Sequence, residues 1–292
     1  MEGIIIKQIS NIFYVEHKNN IYKCLSRGKF KTSDIKPVVG DYVKITKTNN
    51  EEAIIEEVIN RKNYIIRPKM ANLSQIIFVV SLNLPKPDLL LLDKQLAFSE
   101  YNKIKPIICL NKTDLDTKNN IADQLEKEYK KIGYKVIKTS AKDSIGIKEL
   151  KKLLKNNTTA FSGNSGVGKS SLINEIFGQN SALEGEISLK NKKGKNTTTS
   201  TTLYKIDENS YIADTPGFST FELNSISYKE LKNYFIEIKK YESKCEYLGC
   251  SHILEENCEV KNKVKNGKIF SSRYENYKKI YEALKDKEEH KW

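Results

Sequence analysis

Residues Gly163–Ser170 read GNSGVGKS, which matches the pattern GxxxxGK[ST]. Glycine lets consecutive backbone N–H groups turn toward one point, and the start of a helix adds partial positive charge there. That is the chemistry of holding phosphate. Gly163, Asn164, Ser165, Gly166, Val167 and Gly168 would form the cradle, and Ser171 would follow on the helix. Lys169 can reach β- and γ-phosphates, which makes it the first catalytic candidate, and the Ser170 hydroxyl can ligate Mg²⁺. A chance Gly-rich turn is the plainer alternative. The apolar run TTAFSG before the loop and the helical spacing of Lys169–Phe177 after it supply the context the pattern requires. Downstream, Asp214–Gly217 reads DTPG at the end of another apolar run. The Asp214 carboxylate can hold the Mg²⁺ shell, usually through water, and a Gly217 N–H can meet a γ-phosphate, so Gly217 is a second catalytic candidate.

Asn111–Asp114 reads NKTD and closes the apolar run KPIICL. It resembles the guanine-reading motif of GTPases, N/T-K-x-D. A carboxylate at Asp114 can accept from both N1–H and the 2-amino group of guanine, a donor pair that adenine lacks. Asn111 can hydrogen-bond the base edge and pin the loop, and the Lys112 stem would lie along the ring. Thr139–Lys142 reads TSAK after the next strand. There the Ala141 N–H would meet guanine O6, between Ser140 and Lys142.

The order of these motifs is unusual. An ordinary GTPase runs phosphate loop, switch I, DxxG and then the base motifs. Here the base motifs come first, at 111 and 139, and the phosphate loop and DTPG follow at 163 and 214. The same sheet can still be assembled if a helix at Gly146–Lys155 leads into the phosphate-loop strand. Nucleotide state at Gly217 would then pass along the chain into the C-terminal segment.

That segment holds a further constellation, Cys245-x4-Cys250-x-His252-x5-Cys258. Three thiolates and one imidazole suit a closed, tetrahedral, structural Zn²⁺ with no position left for water. Unrelated buried cysteines are the alternative. Cys24 and Cys109 stand alone and read as packing, and His17 and His290 read as solvent-facing.

The elements that must position these groups follow from pattern. The 292 residues allow about two domains at roughly 150 residues each. The longest apolar runs, Ile76–Val80 and Leu89–Leu92, are far short of the about 20 residues a membrane span needs. The start, MEGIIIKQIS, lacks the form of a secretory leader, and free thiols suit a reducing cytosol. Lys+Arg of 50 against Asp+Glu of 37 gives a formal net charge of +13, which suits a polyanionic partner but also a merely Lys-rich surface. Residues 1–68 read as five short strands, a small oligonucleotide-binding type of barrel or a β-domain used only for packing. Residues 69–222 alternate strand and helix, which predicts a mostly parallel sheet with helices on both faces. Residues 223–292 predict a helix near Tyr228–Lys240, the metal loop, and a terminal helix. On the terminal helix Tyr274, Tyr277, Tyr281 and Leu284 share one face, which should pack on the metal module. The stretch Ser181–Thr202 reads as a mobile loop.

Taken in order, NKTD, TSAK, GNSGVGKS, DTPG and the Cys₃His loop closely resemble the circularly permuted GTPases of the RsgA (YjeQ/YloQ) type, over nearly the whole chain. VVGDYV (38–43) and IRPKMAN (66–72) are similar to that family's barrel strand and its barrel-to-GTPase junction. The resemblance implies an α/β P-loop GTPase core, an N-terminal OB-type barrel and a C-terminal zinc-binding helical module. It implies a cytoplasmic factor in late maturation of the small (30S) ribosomal subunit. Such a factor binds rRNA, is stimulated by the subunit, and leaves once GTP is hydrolysed. In that family switch I commonly reads G-R/K-H-T-T, with its His suspected of helping hydrolysis. Here Gly194–Thr198 reads GKNTT, so Asn196 stands at the His position. Asparagine cannot serve as a general base, though it can orient a water. Thr198, or a neighbour in the run Thr197–Thr199, would contact Mg²⁺. Phe218 follows DTPG where Ras-like enzymes carry a water-orienting Gln, and both departures predict slow turnover without a partner. The alternative is a nucleotide-gated RNA-binding module with negligible turnover. Nothing signals oligomerisation, and a monomer is expected.

Overall fold

The structure is a computed structural model that describes residues 1–32, 35–116, 120–177, 201–214, 223 and 225–290. Short β-rich segments punctuated by polar turns build the first unit: β1 (Glu2–Ile9), β2 (Ile12–His17), β3 (Asn20–Ser26), the single turn α1 (Lys29–Thr32), β4 (Tyr42–Lys47) and β5 (Glu52–Val58). β1 pairs with both β2 and β4, β2 with β3, and β3 with β5 in parallel, while β4 and β5 pair antiparallel. The ring is therefore closed, which removes free edges. Period-two alternation sends Ile5, Val15, Cys24, Val43, Ile45 and Ile55 inward and leaves Ile21 and Leu25 outside. Two short strands, β6 (Tyr64–Ile65) and β7 (Met70–Ala71), form the junction.

The second unit alternates as the sequence predicts: β8 (Gln75–Ser81), α2 (Leu89–Tyr101), β9 (Lys105–Asn111), α3 (Ile121–Ile132), β10 (Lys135–Thr139), α4 (Ile147–Leu154), β11 (Thr158–Ser162), α5 (Lys169–Phe177), β12 (Thr202–Asp207) and β13 (Ser210–Asp214). The strands lie in the order β10-β9-β8-β11-β13-β12, all parallel except β12. Every residue of β8 is buried, as a strand covered on both faces must be. Ile76, Phe78 and Ile108 face one core, and Ile77, Val79 and Phe161 face the other. Because β8 pairs with β9 on one side and β11 on the other, the strand that opens this unit lies beside the phosphate-loop strand. The rotated order thus closes one sheet.

β1 also joins β12 at Lys7↔Thr202, so among the described residues the barrel and the larger sheet form one continuous hydrogen-bonded surface. Buried Glu16 reinforces this joint, accepting from Lys205 Nζ and, at 3.0 Å, from the Tyr211 hydroxyl.

The C-terminal unit contains α6 (Ile236–Glu242), α7 (Glu259–Lys265) and α8 (Ser271–Glu289). The helix expected near Tyr228–Lys240 is instead a single 3₁₀ turn at Leu231–Tyr234 followed by α6. Phe235 interrupts it with an extended backbone (φ −111°, ψ 92°), which carries its ring into the core edge-on against Tyr277 at 5.2 Å. Tertiary packing of one aromatic ring outweighs local helix propensity here. Most of the loop expected at Ser181–Thr202 lies outside the described residues, and its last residue begins β12. Among the described residues no helix is long and apolar enough to cross a membrane.

Candidate functional site

Ligands of open α/β sheets bind beyond the carboxyl ends of the strands. In this sheet the ends of β9, β10 and β11 surround a cleft of about 490 Å³. Asn111 lines it from the end of β9 and Lys112 and Asp114 from the loop that follows, Ala141 and Lys142 from the loop after β10, Gly168 from the phosphate loop and Ser171 from the first turn of α5. The two base-motif loops and the phosphate loop therefore share one cavity. Leu115, Asn174 and Glu175 complete the wall and carry no motif that would have marked them.

Direct hydrogen bonds tie the loops together. Asn111 Nδ2 donates to Val167 O at 2.9 Å, and Lys112 Nζ donates to Gly166 O at 2.7 Å and to Leu84 O. The Asn111 amide is oriented by Thr139, whose hydroxyl donates to Asn111 Oδ1 at 3.0 Å and lies 3.2 Å from Cys109 Sγ. Ser140 Oγ sits 2.9 Å from Asp114 Oδ1, aiming that carboxylate, and accepts from the Asp143 N–H at 3.2 Å. The 140–145 loop closes on itself through reciprocal Ser140–Ile145 backbone bonds of 3.1 and 3.0 Å. Asp114 is thus presented by a braced loop.

Two glycines in the phosphate loop are required by close approach. At Gly168 (φ +96°) an added Cβ would lie 2.4 Å from Asn111 Nδ2, and at Gly163 (φ +141°) it would lie 2.3 Å from Val79 O. Only glycine permits both the left-handed backbone and the contact. Lys169 opens α5 and donates to Gly163 O at 2.7 Å and Asn164 O at 2.8 Å. Partial burial lowers its pKa from the ordinary lysine value. Ser165 and Ser170 are exposed at the mouth of the loop. Asp214 ends β13, the strand parallel to β11, where it pairs across with Thr202. Gly217, Asn196 and Thr197–Thr199 lie outside the described residues.

The second constellation also converges. The ligand atoms of Cys245, Cys250, His252 and Cys258 all lie within 4.8 Å of one another. Cys245 Sγ is 3.6 Å from His252 Nδ1 and 3.9 Å from Cys258 Sγ, and Nδ1 is 3.4 Å from Cys258 Sγ. Zinc bonds of about 2.3 Å to sulfur and about 2.0 Å to nitrogen, at tetrahedral angles, imply S···S near ~3.8 Å and S···N near ~3.5 Å. The donor set therefore fits one such ion. Burial, then Lys232, lowers the His252 pKa to about 4, so the imidazole is neutral and available as a ligand at neutral pH. Burial pushes the Cys250 thiol up to about 12 and raises Cys258 as well. A bound dication would reverse that preference, because thiolate is the ligating form.

The predicted face of α8 supports this loop. Tyr274 donates to His252 O at 2.6 Å and Tyr277 to Ser251 O at 2.9 Å. Cys24 and Cys109 are buried as packing residues and His290 is exposed, as expected.

The sequence reading missed a buried charge cluster between α2 and α8. Arg273 donates to Asp93 Oδ1 at 2.6 Å and, through both Nε and Nη2, to Glu237 at 2.7 and 3.1 Å. Asn276 and Tyr129 donate to the same Asp93 carboxylate at 2.7 and 2.8 Å. The available signal was Asp93 itself, a lone carboxylate within the apolar run LLLLDKQL.

Comparison with known proteins agrees with this architecture. The family profile described as RsgA GTPase matches residues 58–224, and the profile described as RsgA N-terminal domain matches residues 2–55. The small ribosomal subunit biogenesis GTPase RsgA of Clostridium novyi is 42% identical over 294 aligned positions, covering 100% of both chains. Its counterpart from Alkaliphilus metalliredigens is 40% identical and covers 97% of this chain and 98% of its own. Among solved structures, YjeQ from Thermotoga maritima superposes with a TM-score of 0.86 at 38% identity, covering 97% of this chain and 98% of its own. YloQ, described as a circularly permuted GTPase, superposes with a TM-score of 0.81 at 33% identity, covering 98% and 95%.

Proposed function

This chain belongs to the RsgA family of circularly permuted GTPases, and from that premise we propose that it hydrolyses GTP to GDP and phosphate as an assembly factor for the small ribosomal subunit. It binds the subunit's rRNA late in maturation and leaves after hydrolysis. The observation that carries the nucleotide reading is the shared cleft, in which Asn111 and Lys112 are bonded to the phosphate-loop carbonyls of Val167 and Gly166. Asp114 takes the guanine N1–H and 2-amino group, with Asn111 and Lys112 beside the base and Ala141 between Ser140 and Lys142 at O6. Gly163 to Gly168, with Lys169, Ser170 and Ser171, cradle the phosphates. Lys169 stabilises charge on the γ-phosphoryl group, a task that asks for positioning and electrostatics rather than covalent chemistry.

Mg²⁺ with GTP would be held by Ser170, Asp214 and Thr198 or a neighbour in the run Thr197–Thr199. It would supply charge neutralisation at the phosphates. Gly217 offers its N–H to the γ-phosphate, and Asn196 orients water. One Zn²⁺ at Cys245, Cys250, His252 and Cys258 is structural, since all four positions are filled by protein. The working units are the barrel (1–68), the GTPase (69–222) and the zinc module (223–292). The +13 charge suits an rRNA partner, and the protein acts as a cytoplasmic monomer.

The alternative, a nucleotide-gated RNA binder with negligible turnover, draws on Asn196, which stands at the family's His position and cannot act as a general base. Multiple-turnover GTP hydrolysis with and without purified small subunits separates the two. Stimulation supports the enzyme, and its absence supports the gated binder.

A further inference from the structure

Helix α2 touches the phosphate loop and the strand that feeds it through two polar side chains that the nucleotide-binding reading does not use. Asp88 caps α2, its Oδ1 accepting from the Leu91 N–H at 2.9 Å. Its other oxygen, Oδ2, accepts from Asn164 Nδ2 at 3.2 Å. Two turns further on, buried Gln95 donates from Nε2 to Ser162 Oγ at 3.2 Å, in the strand that feeds the loop. The Asn164 carbonyl in turn accepts from Lys169 Nζ at 2.8 Å. A continuous run of contacts therefore leads from Asp88 through Asn164 to the lysine ammonium.

A support of this kind works only if it is itself held. Asp93 lies roughly 160° around the helix from Gln95 at 100° per residue. It is fully buried and bonded to Arg273, Asn276 and Tyr129. α2 is therefore anchored on one face by the charge cluster and grips the phosphate loop with the other.

We infer that Asp88 is a positioning residue for the phosphate loop: its carboxylate fixes the Asn164 side chain, and with it the carbonyl that holds Lys169. This rests on the nucleotide-binding reading of the same loop. The competing role is helix capping alone.

The two roles separate by substitution, because Ser, Asn and Asp cap helices about equally well. Asp88→Ser keeps a cap but is too short to reach Asn164. Asp88→Asn keeps both, since the Asn164 amide can turn to accept from the new Nδ2. The readout is GDP affinity of the full chain by titration, with thermal midpoints measured in parallel. Asp88→Ser and Asn164→Ala should each weaken GDP about three- to tenfold, the range of one lost hydrogen bond. Their combination should be no weaker than the weaker single variant, and Asp88→Asn should stay within about twofold of wild type. Equal behaviour of Asp88→Ser and Asp88→Asn overturns the inference, as do multiplying losses in the double variant or unchanged affinity in Asn164→Ala. Even if Asp88→Ser fails to fold, unchanged affinity in Asn164→Ala still overturns the inference. GDP binding does not depend on turnover, so failure of the hydrolysis reading leaves this test intact. A wild-type chain that binds no GDP would instead refute the site.

Discussion

Replacing Arg273 with methionine would leave two carboxylates in the interior with their shared cation gone. Asp93 is fully buried and Glu237 nearly so, and Arg273 supplies three of their hydrogen bonds while stacking 4.5 Å from the Phe235 ring centroid. Asp93 would keep Asn276 and Tyr129, but Glu237 would lose both of its bonds to Arg273. Breaking a buried pair by removing one partner costs about 3–5 kcal/mol. With an unfolding entropy of about 2.1 cal/mol/K per residue, that is about 5–8 °C in thermal midpoint for a chain of this size unfolding as one unit. The pH dependence has a definite sign. Burial raises the Asp93 pKa, and removing Arg273 removes the main opposing influence. An acid whose folded pKa is raised holds its proton longer in the native state, so stability falls as pH rises through the folded value. The deficit of Arg273→Met relative to wild type should therefore be larger at pH 8 than at pH 5. Adding Asp93→Asn and Glu237→Gln should recover most of it. The assay is urea unfolding followed by circular dichroism at the two pH values. A variant within about 1 kcal/mol of wild type at pH 8, far below the loss for a broken buried pair, would refute this account of the cluster.

Three further outcomes are expected. Asp114→Asn should lower the preference for GTP and raise that for xanthosine triphosphate, because the amide can donate where the carboxylate accepted; competition binding that shows undiminished GTP preference would count against the base site. Stripping the metal with a chelator should lower the thermal midpoint and loosen residues 245–258, as read by hydrogen exchange, and full stability after metal removal would contradict a structural ion. Asn196→His should raise subunit-stimulated turnover if a base is what the loop lacks, and an unchanged rate would place the hydrolytic contribution elsewhere.

Much of the candidate site was legible because the phosphate and guanine recognition proposed for it uses short, contiguous stretches whose chemistry is carried by residue type. GNSGVGKS, NKTD and TSAK are each contiguous, so residue type and spacing marked them as candidates, and the Cys₃His loop was marked in the same way as a group that could hold a metal ion. The parallel sheet followed from fully apolar runs such as Gln75–Ser81, whose burial on both faces leaves no polar positions. The supports were harder to read. Thr139, Asp88 and Gln95 act through partners far along the chain, Asp88 and Asn164 being 76 positions apart. The helix misplaced near Tyr228–Lys240 shows the same limit, since Phe235 takes its conformation from Tyr277 rather than from its neighbours.

The sequence by itself determined which side chains are candidates for the proposed chemistry, because ligand recognition needs particular functional groups at local spacing. Only the tertiary structure decided which loops meet. β8 lies between β9 and β11, so Asn111 at the end of β9 meets Val167 in the loop after β11, and Arg273 crosses 180 positions to reach Asp93. Those encounters arise because buried polar groups must find partners wherever packing places them, and local sequence does not encode that distance.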